Sequence, residues 1–252
     1  MITNQEIYRT KDFNYWAYKE NLDSREKYLI EKYLYKSGKT LEAGTAGGRI
    51  LLAMQNLGFE SLYGFDYVTN LIEQAKKRDT SHLIDFTVQD AKELNYQDSS
   101  FEQLIYLQQI ICCLEKSLDR LQGIREAYRI LKPGGIALFS FLSFEARFKS
   151  FFYSMYLNYI KLLRTISKSN LSPQSLSRLK LDGKPQLSSL LDQGPFMYWY
   201  KLPEAYESLR SVGFQIIAMG SSHQIKQQRM CSSLEELQKE LLEGQLFFVC
   251  QK

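Results

Sequence analysis

Short apolar runs alternate with amphipathic stretches along most of this chain. Thr40–Ala43, Leu62–Phe65, Phe86–Val88, Leu104–Leu107 and Ile136–Leu142 each have the length and composition of a strand. Between them, apolar positions recur at spacings of three and four, which predicts helices. One runs from Gly48 to Leu57 and is closed by Gly58, a second opens at the cap candidates Thr69 and Asn70, and a third spans Leu118–Leu131. Pro133-Gly134-Gly135 then stops the third helix by removing a donor and supplying left-handed freedom. This is the pattern of β-α units on a parallel sheet. The residues ahead of it read as helical, with Ser24 to Tyr35 as the clearest stretch and Gly38 as its terminator.

The rhythm breaks between Phe144 and about Tyr200 and then resumes. Pro203 is placed as the first residue of a helix that continues over Glu204–Ser211 and is closed by Gly213. Phe214–Met219 is a sixth strand, Ser233–Glu243 a helix with a capping box from Ser233 to Glu236, and Leu246–Cys250 a last strand. The expected fold is α/β, doubly wound, with a mostly parallel seven-stranded sheet in which one terminal strand is reversed. Its parts are N-terminal helices over 1–38, a core over 39–143 and 201–252, and a helical cap insertion over 144–200.

Composition narrows the class. A chain of 252 residues with 44% apolar and 24% charged positions is ordinary for a globular protein and needs no staple. The longest mostly apolar run, Gly134 to Phe144, is about half of the ~20 residues of a membrane-crossing helix, and the N-terminus has no signal-peptide core, so the expectation is cytoplasmic. Cys112, Cys113, Cys231 and Cys250 show no C-x-x-C spacing and read as reduced, buried thiols, with no metal site.

The strongest local signal is Leu41-Glu42-Ala43-Gly44-Thr45-Ala46-Gly47-Gly48-Arg49, where a strand ends and a helix begins across glycines that admit a ligand close to the backbone. A dinucleotide fingerprint needs glycine at the first, third and sixth positions, but Ala46 and Arg49 occupy the last two. No Gly-Lys-Ser/Thr ending follows, which excludes a P-loop. What remains, an acid two residues before Gly-x-x-Gly-Gly, resembles the first motif of the class I S-adenosylmethionine-dependent methyltransferases, with Ala46 in place of the middle glycine. Three further motifs occur in that family's order: Gly64-Phe65-Asp66 ending the second strand, Gln89-Asp90-Ala91 ending the third, and Arg129-Ile130-Leu131-Lys132-Pro133-Gly134-Gly135 before the fifth. Asp66 lies 24 positions after Glu42, close to the ~20 at which a carboxylate meets ribose hydroxyls in related nucleotide folds.

The resemblance implies S-adenosylmethionine as cofactor. Glu42 and Gly44 would sit at its amino-acid end, Asp66 at the ribose and Asp90 at the adenine, with Thr45, Gly48, Tyr67, Ala91, Leu107 and Gln108 as further cofactor contacts. The aromatic segment Tyr8–Tyr18 suits either a lid, with Tyr15 and Trp16 as the candidates that cover the cofactor, or packing against the sheet or a partner chain. Of the two histidines, His82 falls at the end of the sheet opposite the ligands, whereas His223 follows the sixth strand on the ligand side and is the candidate base.

The overall charge of +4 conceals a local concentration. Between residues 146 and 185 there are eight basic residues and one acid, Asp182. The same stretch carries an apolar helical stripe from Phe148 to Ile166 that includes Tyr156. It reads as a cap over a hydrophobic acceptor, as a basic amphipathic helix on an anionic membrane through 145–170, or as a cover for the sheet edge. Tyr156, Phe196, Trp199 and Tyr200 are the candidate acceptor contacts. The expected activity is methyl transfer to a small, hydrophobic or aromatic acceptor. The alternatives are a non-catalytic S-adenosylmethionine-binding or regulatory protein and an RNA methyltransferase gripping phosphates with the basic insertion. Nucleic acid is disfavoured, because no recognisable basic and aromatic module is present.

Overall fold

The computed structural model describes residues 3–149, 151–181 and 184–252. Asp182 therefore lies outside the described residues. Three helices lead the chain: α1 (Asn4–Arg9), α2 (Phe13–Tyr18) and α3 (Ser24–Tyr33). The β-α rhythm follows as β1 (Thr40–Ala43), α4 (Arg49–Asn56), β2 (Leu62–Asp66), α5 (Thr69–Arg78), β3 (Asp85–Val88), β4 (Phe101–Tyr106), α6 (Ser117–Ile130) and β5 (Leu131–Leu142). The insertion holds α7 (Phe144–Phe148), α8 (Phe151–Ile166) and four short strands, β6 (Ser175–Ser177), β7 (Lys180–Leu181), β8 (Lys184–Pro185) and β9 (Phe196–Tyr198). The chain closes with α9 (Leu202–Arg210), β10 (Gln215–Ser221), α10 (Ser222–Lys226), α11 (Leu234–Gln238) and β11 (Gln245–Gln251).

Seven strands form one sheet in the order β10-β11-β5-β4-β1-β2-β3. β1 to β5 are parallel, and β11 runs antiparallel to both β5 and β10. The reversed strand is thus next to the edge. Alternation along the strands splits the core into two faces. Leu104 and Tyr106 join the cluster under α6 and α9, while Ile105 between them joins the cluster under α3, α4 and α5. The strand order reverses between β1 and β4, so the first β-α loop opens at a topological switch point.

Several local expectations change. The helix from Ser24 stops at Tyr33, and Gly38 lies beyond it in a turn rather than at its cap. Neither Thr69 nor Asn70 caps α5. Its N-cap is Val68, whose N–H is taken by the Asp66 carboxylate at 3.0 Å. Pro133-Gly134-Gly135 does not end α6, which already stops at Ile130. These residues sit inside β5, where the register against β4 shifts. The helix predicted over Ser233–Glu243 is a single short turn, Leu234–Gln238. The Glu236 side chain turns to Ser232 instead of closing a box with Ser233.

The insertion is not wholly helical: β6 pairs with β9 and β7 with β8. It leaves and re-enters the core at one point, where Phe144 N–H donates to the Tyr200 carbonyl and Tyr200 N–H to the Leu142 carbonyl, both at 2.8 Å. The apolar stripe, which the sequence leaves open as a cap, a membrane face or a cover for the sheet edge, is largely exposed. α8 turns Leu157, Ile160 and Arg164 toward the body and leaves Phe151, Phe152, Met155, Leu162 and Ile166 exposed. No helix among the described residues is long and apolar enough to cross a membrane.

Candidate functional site

A cavity of about 340 Å³ opens at the carboxyl ends of β1 to β4. Gly44 after β1, Asp66 and Tyr67 at the end of β2, Gln89 to Ala91 after β3 and Gln108 after β4 all line it. Four strand ends converge there because parallel strands deliver their loops to one side of the sheet.

Gly44 has φ +63, and a Cβ on it would fall 2.2 Å from Ile110 Cδ1 in the short turn Ile110–Cys113 that walls the cavity. The left-handed backbone favours glycine here, and any side chain would have to displace Ile110. Ala46, at the position where the motif usually has glycine, keeps a left-handed backbone at φ +48, and its N–H donates to Asp66 Oδ2 at 3.0 Å. Asp66 therefore braces the loop with one oxygen and the start of α5 with the other, while its carboxylate faces the cavity. Burial pushes its pKa up to about 6.

The remaining motif residues support this loop from behind. Glu42 is buried beneath it, accepts the Thr45 hydroxyl at 2.7 Å, and does not line the cavity. Burial raises its pKa to about 8, against the pull of Thr45 and Arg49. Gly48, at φ +79, is the N-cap of α4, and Leu107 belongs to the core. Arg49, the residue that spoils a dinucleotide fingerprint, forms a buried two-pronged pair with Glu26 at 2.5 and 2.6 Å and donates to the Asn21 carbonyl at 2.9 Å. Gln108 donates to the same Glu26 carboxylate, and Gln108 and Gln109 are consecutive left-handed residues, at φ +63 and +60. That strain marks the exit of β4 as a built feature.

α1 and α2 cover the cavity, whereas α3 packs on the sheet. Trp16 lines the cavity, while Tyr15 is exposed, meets Trp16 edge to face and has the Lys19 ammonium 5.2 Å from its ring centre. Gly47 takes part in closure: its N–H donates to the Trp16 carbonyl at 3.3 Å, and a Cβ there would lie 2.3 Å from the Ala17 carbonyl oxygen. Arg78, at the end of α5, donates to the carbonyls of Ala17, Lys19 and Gly47 at 2.9, 3.1 and 3.0 Å, tying lid to loop. Asn4 donates to the carbonyls of Cys113 and Phe196 at 3.1 and 2.9 Å. Sequence reasoning missed Arg78 and Asn4, since neither belongs to a motif; three carbonyls converge on one guanidinium only after folding.

These residues suit S-adenosylmethionine. Among the described residues, the buried Trp16 Nε1 and Asn4 Oδ1 lack hydrogen-bond partners, which leaves a donor and an acceptor for a bound molecule. Asp66, Asp90, Glu115 and Asp119 outnumber Lys92 and Lys116 around the cavity, as a cationic sulfonium with an ammonium would favour.

The remaining candidates lie elsewhere. His223 sits on α10, beyond the reversed strand, with Nε2 3.0 Å from Gln227 Nε2 and Nδ1 3.7 Å from Glu243, and it does not border the cavity. The expectation of a base there is corrected, because β11 and β5 separate its strand from β4. Tyr200 packs in the core against Phe141 and Tyr198, and Tyr156 donates to the Ser189 carbonyl at 3.1 Å inside the insertion. Phe196 meets the lid through its carbonyl, and Trp199 lines a separate cavity within the insertion. Cys113 is half-buried on the wall of the first cavity, unlike the other three cysteines, and its Sγ is 3.4 Å from the Tyr8 hydroxyl.

Comparison with known proteins agrees with this geometry. Residues 41–139 match the methyltransferase-domain family. The chain is 33% identical over 101 residues to a ubiquinone/menaquinone biosynthesis C-methyltransferase of Desulfotalea psychrophila, covering 39% of each. It is 26% identical over 151 residues to the protein of that name from Geotalea daltonii, covering 57% of this chain and 62% of that one. The matches thus span about two-fifths to three-fifths of these relatives. In structure the chain is similar to an S-adenosylmethionine-dependent methyltransferase of Methanosarcina mazei, with TM-score 0.66 at 20% identity over 89% of this chain and 96% of that one.

Proposed function

We propose that this chain, whose residues 41–139 match the methyltransferase-domain family, transfers a methyl group from S-adenosylmethionine to a small, hydrophobic or aromatic acceptor. The observation that carries the reading is the gathering of Gly44, Asp66 and Asp90 around one lidded cavity at the switch point of the sheet. The relatives named for C-methylation in quinone biosynthesis favour an aromatic ring as acceptor.

When bound, S-adenosylmethionine supplies a methyl group activated by positive charge for in-line displacement. The chain's own part is placement. Asp66 and Asp90 would orient the nucleoside, Gly44 would let the backbone approach, and the α1–α2 lid would keep water from the sulfur. Orientation of this kind contributes up to roughly 7–11 kcal/mol in favourable cases. A protein base is needed only for an acceptor that must lose a proton.

Calorimetric titration with S-adenosylhomocysteine is the first test, and a tritiated-methyl assay over hydroquinones, phenols and aromatic acids is the second. Failure to bind would sink the reading. Binding without methyl transfer to any acceptor would turn it into a non-catalytic sensor.

A second proposal concerns location: the protein is cytoplasmic, and residues 145–170 rest on an anionic lipid surface. It is supported by the outward stripe Phe151, Phe152, Met155, Leu162 and Ile166, with Lys149, Lys161 and Lys168 beside it. Co-sedimentation with phosphatidylglycerol vesicles is expected. Equal pelleting with neutral vesicles, or retention by a Phe151→Ser, Phe152→Ser double variant, would overturn it.

A further inference from the structure

The insertion concentrates positive charge, but its three arginines point inward and are treated differently. Arg164 is locked to Asp192 through Nε and Nη2 at 2.5 and 2.6 Å, and it also donates to the carbonyls of Ser172 and Ser175. Arg178 gives Nη2 to Asp12 at 2.6 Å. Arg147, among the described residues, has no carboxylate partner. Its guanidinium lies 3.6 Å from the Trp199 ring centre and 4.1 Å from that of Tyr153. Ring contacts soften the loss of water around a cation but satisfy no N–H.

The unsatisfied atoms belong to residues around one cavity. Arg147 Nε, Arg178 Nη1 and the Ser177 hydroxyl are all buried without a hydrogen-bond partner, and all three residues line one cavity of about 540 Å³. Its other walls are largely apolar, with Leu142, Leu176, Leu179 and Met197 among them. A native fold seldom leaves three buried polar groups unpaired around one space unless something fills it. Burial also lowers the pKa of Arg147, the direction a bound anion would reverse.

We propose that this cavity binds an apolar molecule bearing a carboxylate, whose oxygens are received by Arg147 Nε, Arg178 Nη1 and the Ser177 hydroxyl. The charge balance selects a monoanion. Asp12 already neutralises Arg178, Lys180 stands exposed on the rim, and among the described residues Arg147 is the one guanidinium of the cavity wall without a carboxylate partner. The volume suits a ring or a medium-length chain. The cavity adjoins the cofactor site: Met197 Sδ, on its wall, is 3.6 Å from Cys113 Sγ, on the wall of the other, and Arg178 is 5.1 Å from the ring of Tyr8. Only the assignment of this molecule as methyl acceptor rests on the methyltransferase reading; its binding does not.

Calorimetric titration of the full chain with 6-phenylhexanoate and its uncharged amide tests the site. The acid is expected to bind at least tenfold tighter than the amide, inorganic phosphate to bind far more weakly, Arg147→Met to abolish the preference and Ser177→Ala to reduce acid affinity several-fold. Arg147→Met should keep its thermal midpoint and its affinity for S-adenosylhomocysteine. If it fails to fold, Arg147→Lys, which retains charge without the planar fork, should lose about tenfold. Equal binding of acid and amide, binding of neither, or an Arg147 variant that retains the preference would overturn the site. Loss of S-adenosylhomocysteine binding with the acid preference intact in the wild-type chain would remove the methyltransferase reading and leave this site standing.

Discussion

One Asp66 oxygen accepts the Ala46 N–H at 3.0 Å, joining the end of β2 to the turn after β1 across the floor of the cavity. The acid expected to contact ribose is therefore also the brace of the loop beneath it. Asp66→Asn replaces one acceptor oxygen with a donor and must give up a backbone bond. We expect S-adenosylhomocysteine affinity to fall at least tenfold in calorimetry and the thermal midpoint to drop, because one buried hydrogen bond is worth about 1 kcal/mol and an orphaned partner costs more. Unchanged affinity would separate the brace from the ligand contact.

Ala46 holds a left-handed backbone that glycine adopts without strain. Ala46→Gly relieves roughly 1 kcal/mol of that strain, partly offset by a more flexible unfolded chain. The expected result is a thermal midpoint raised by ~2 °C with cofactor affinity retained.

Glu42 carries a pH dependence whose sign follows from its burial. Its folded pKa, about 8, lies above the ordinary 4.5, so the folded chain holds a proton that the unfolded chain has released. Its destabilising contribution is absent below pH 4.5, grows as pH rises toward 8, and then levels at on the order of a few kcal/mol. Glu42→Gln should raise the thermal midpoint more at pH 8 than at pH 5. An equal shift at both values would show that Glu42 is charged in the folded state.

Arg78 ties the lid through three carbonyls. Arg78→Ala should speed amide exchange across Asn4–Tyr18 and weaken S-adenosylhomocysteine binding several-fold, while exchange in β4 and β5 stays slow. Uniformly faster exchange would mean a global loss of stability.

His223 faces Gln227 and Glu243, away from the cavity. His223→Gln should leave methyl-transfer turnover within about twofold at every pH tested, and a lost alkaline or acidic limb would restore it as a base.

Hydrophobic runs located the seven strands and most of the helices between them, because burial on both faces of a parallel sheet writes itself into local runs of apolar residues, whereas the place of the reversed strand, next to the edge rather than at it, followed only from the pairing. Three short motifs also located Gly44, Asp66 and Asp90, since strand-end positions follow from strand assignment alone. The sequence could not reveal which way α8 faces. Its stripe is amphipathic in either orientation, and only the packing of Leu157, Ile160 and Arg164 against the insertion turned the aromatic edge outward. Nor could local pattern show that Glu42 lies under the loop rather than in the cavity, that Arg78 binds the lid, or that two arginines of one basic segment find carboxylates while Arg147, among the described residues, does not. Partners 28 and 166 residues apart in sequence meet only when the chain is folded, and the charge left over is a property of that geometry.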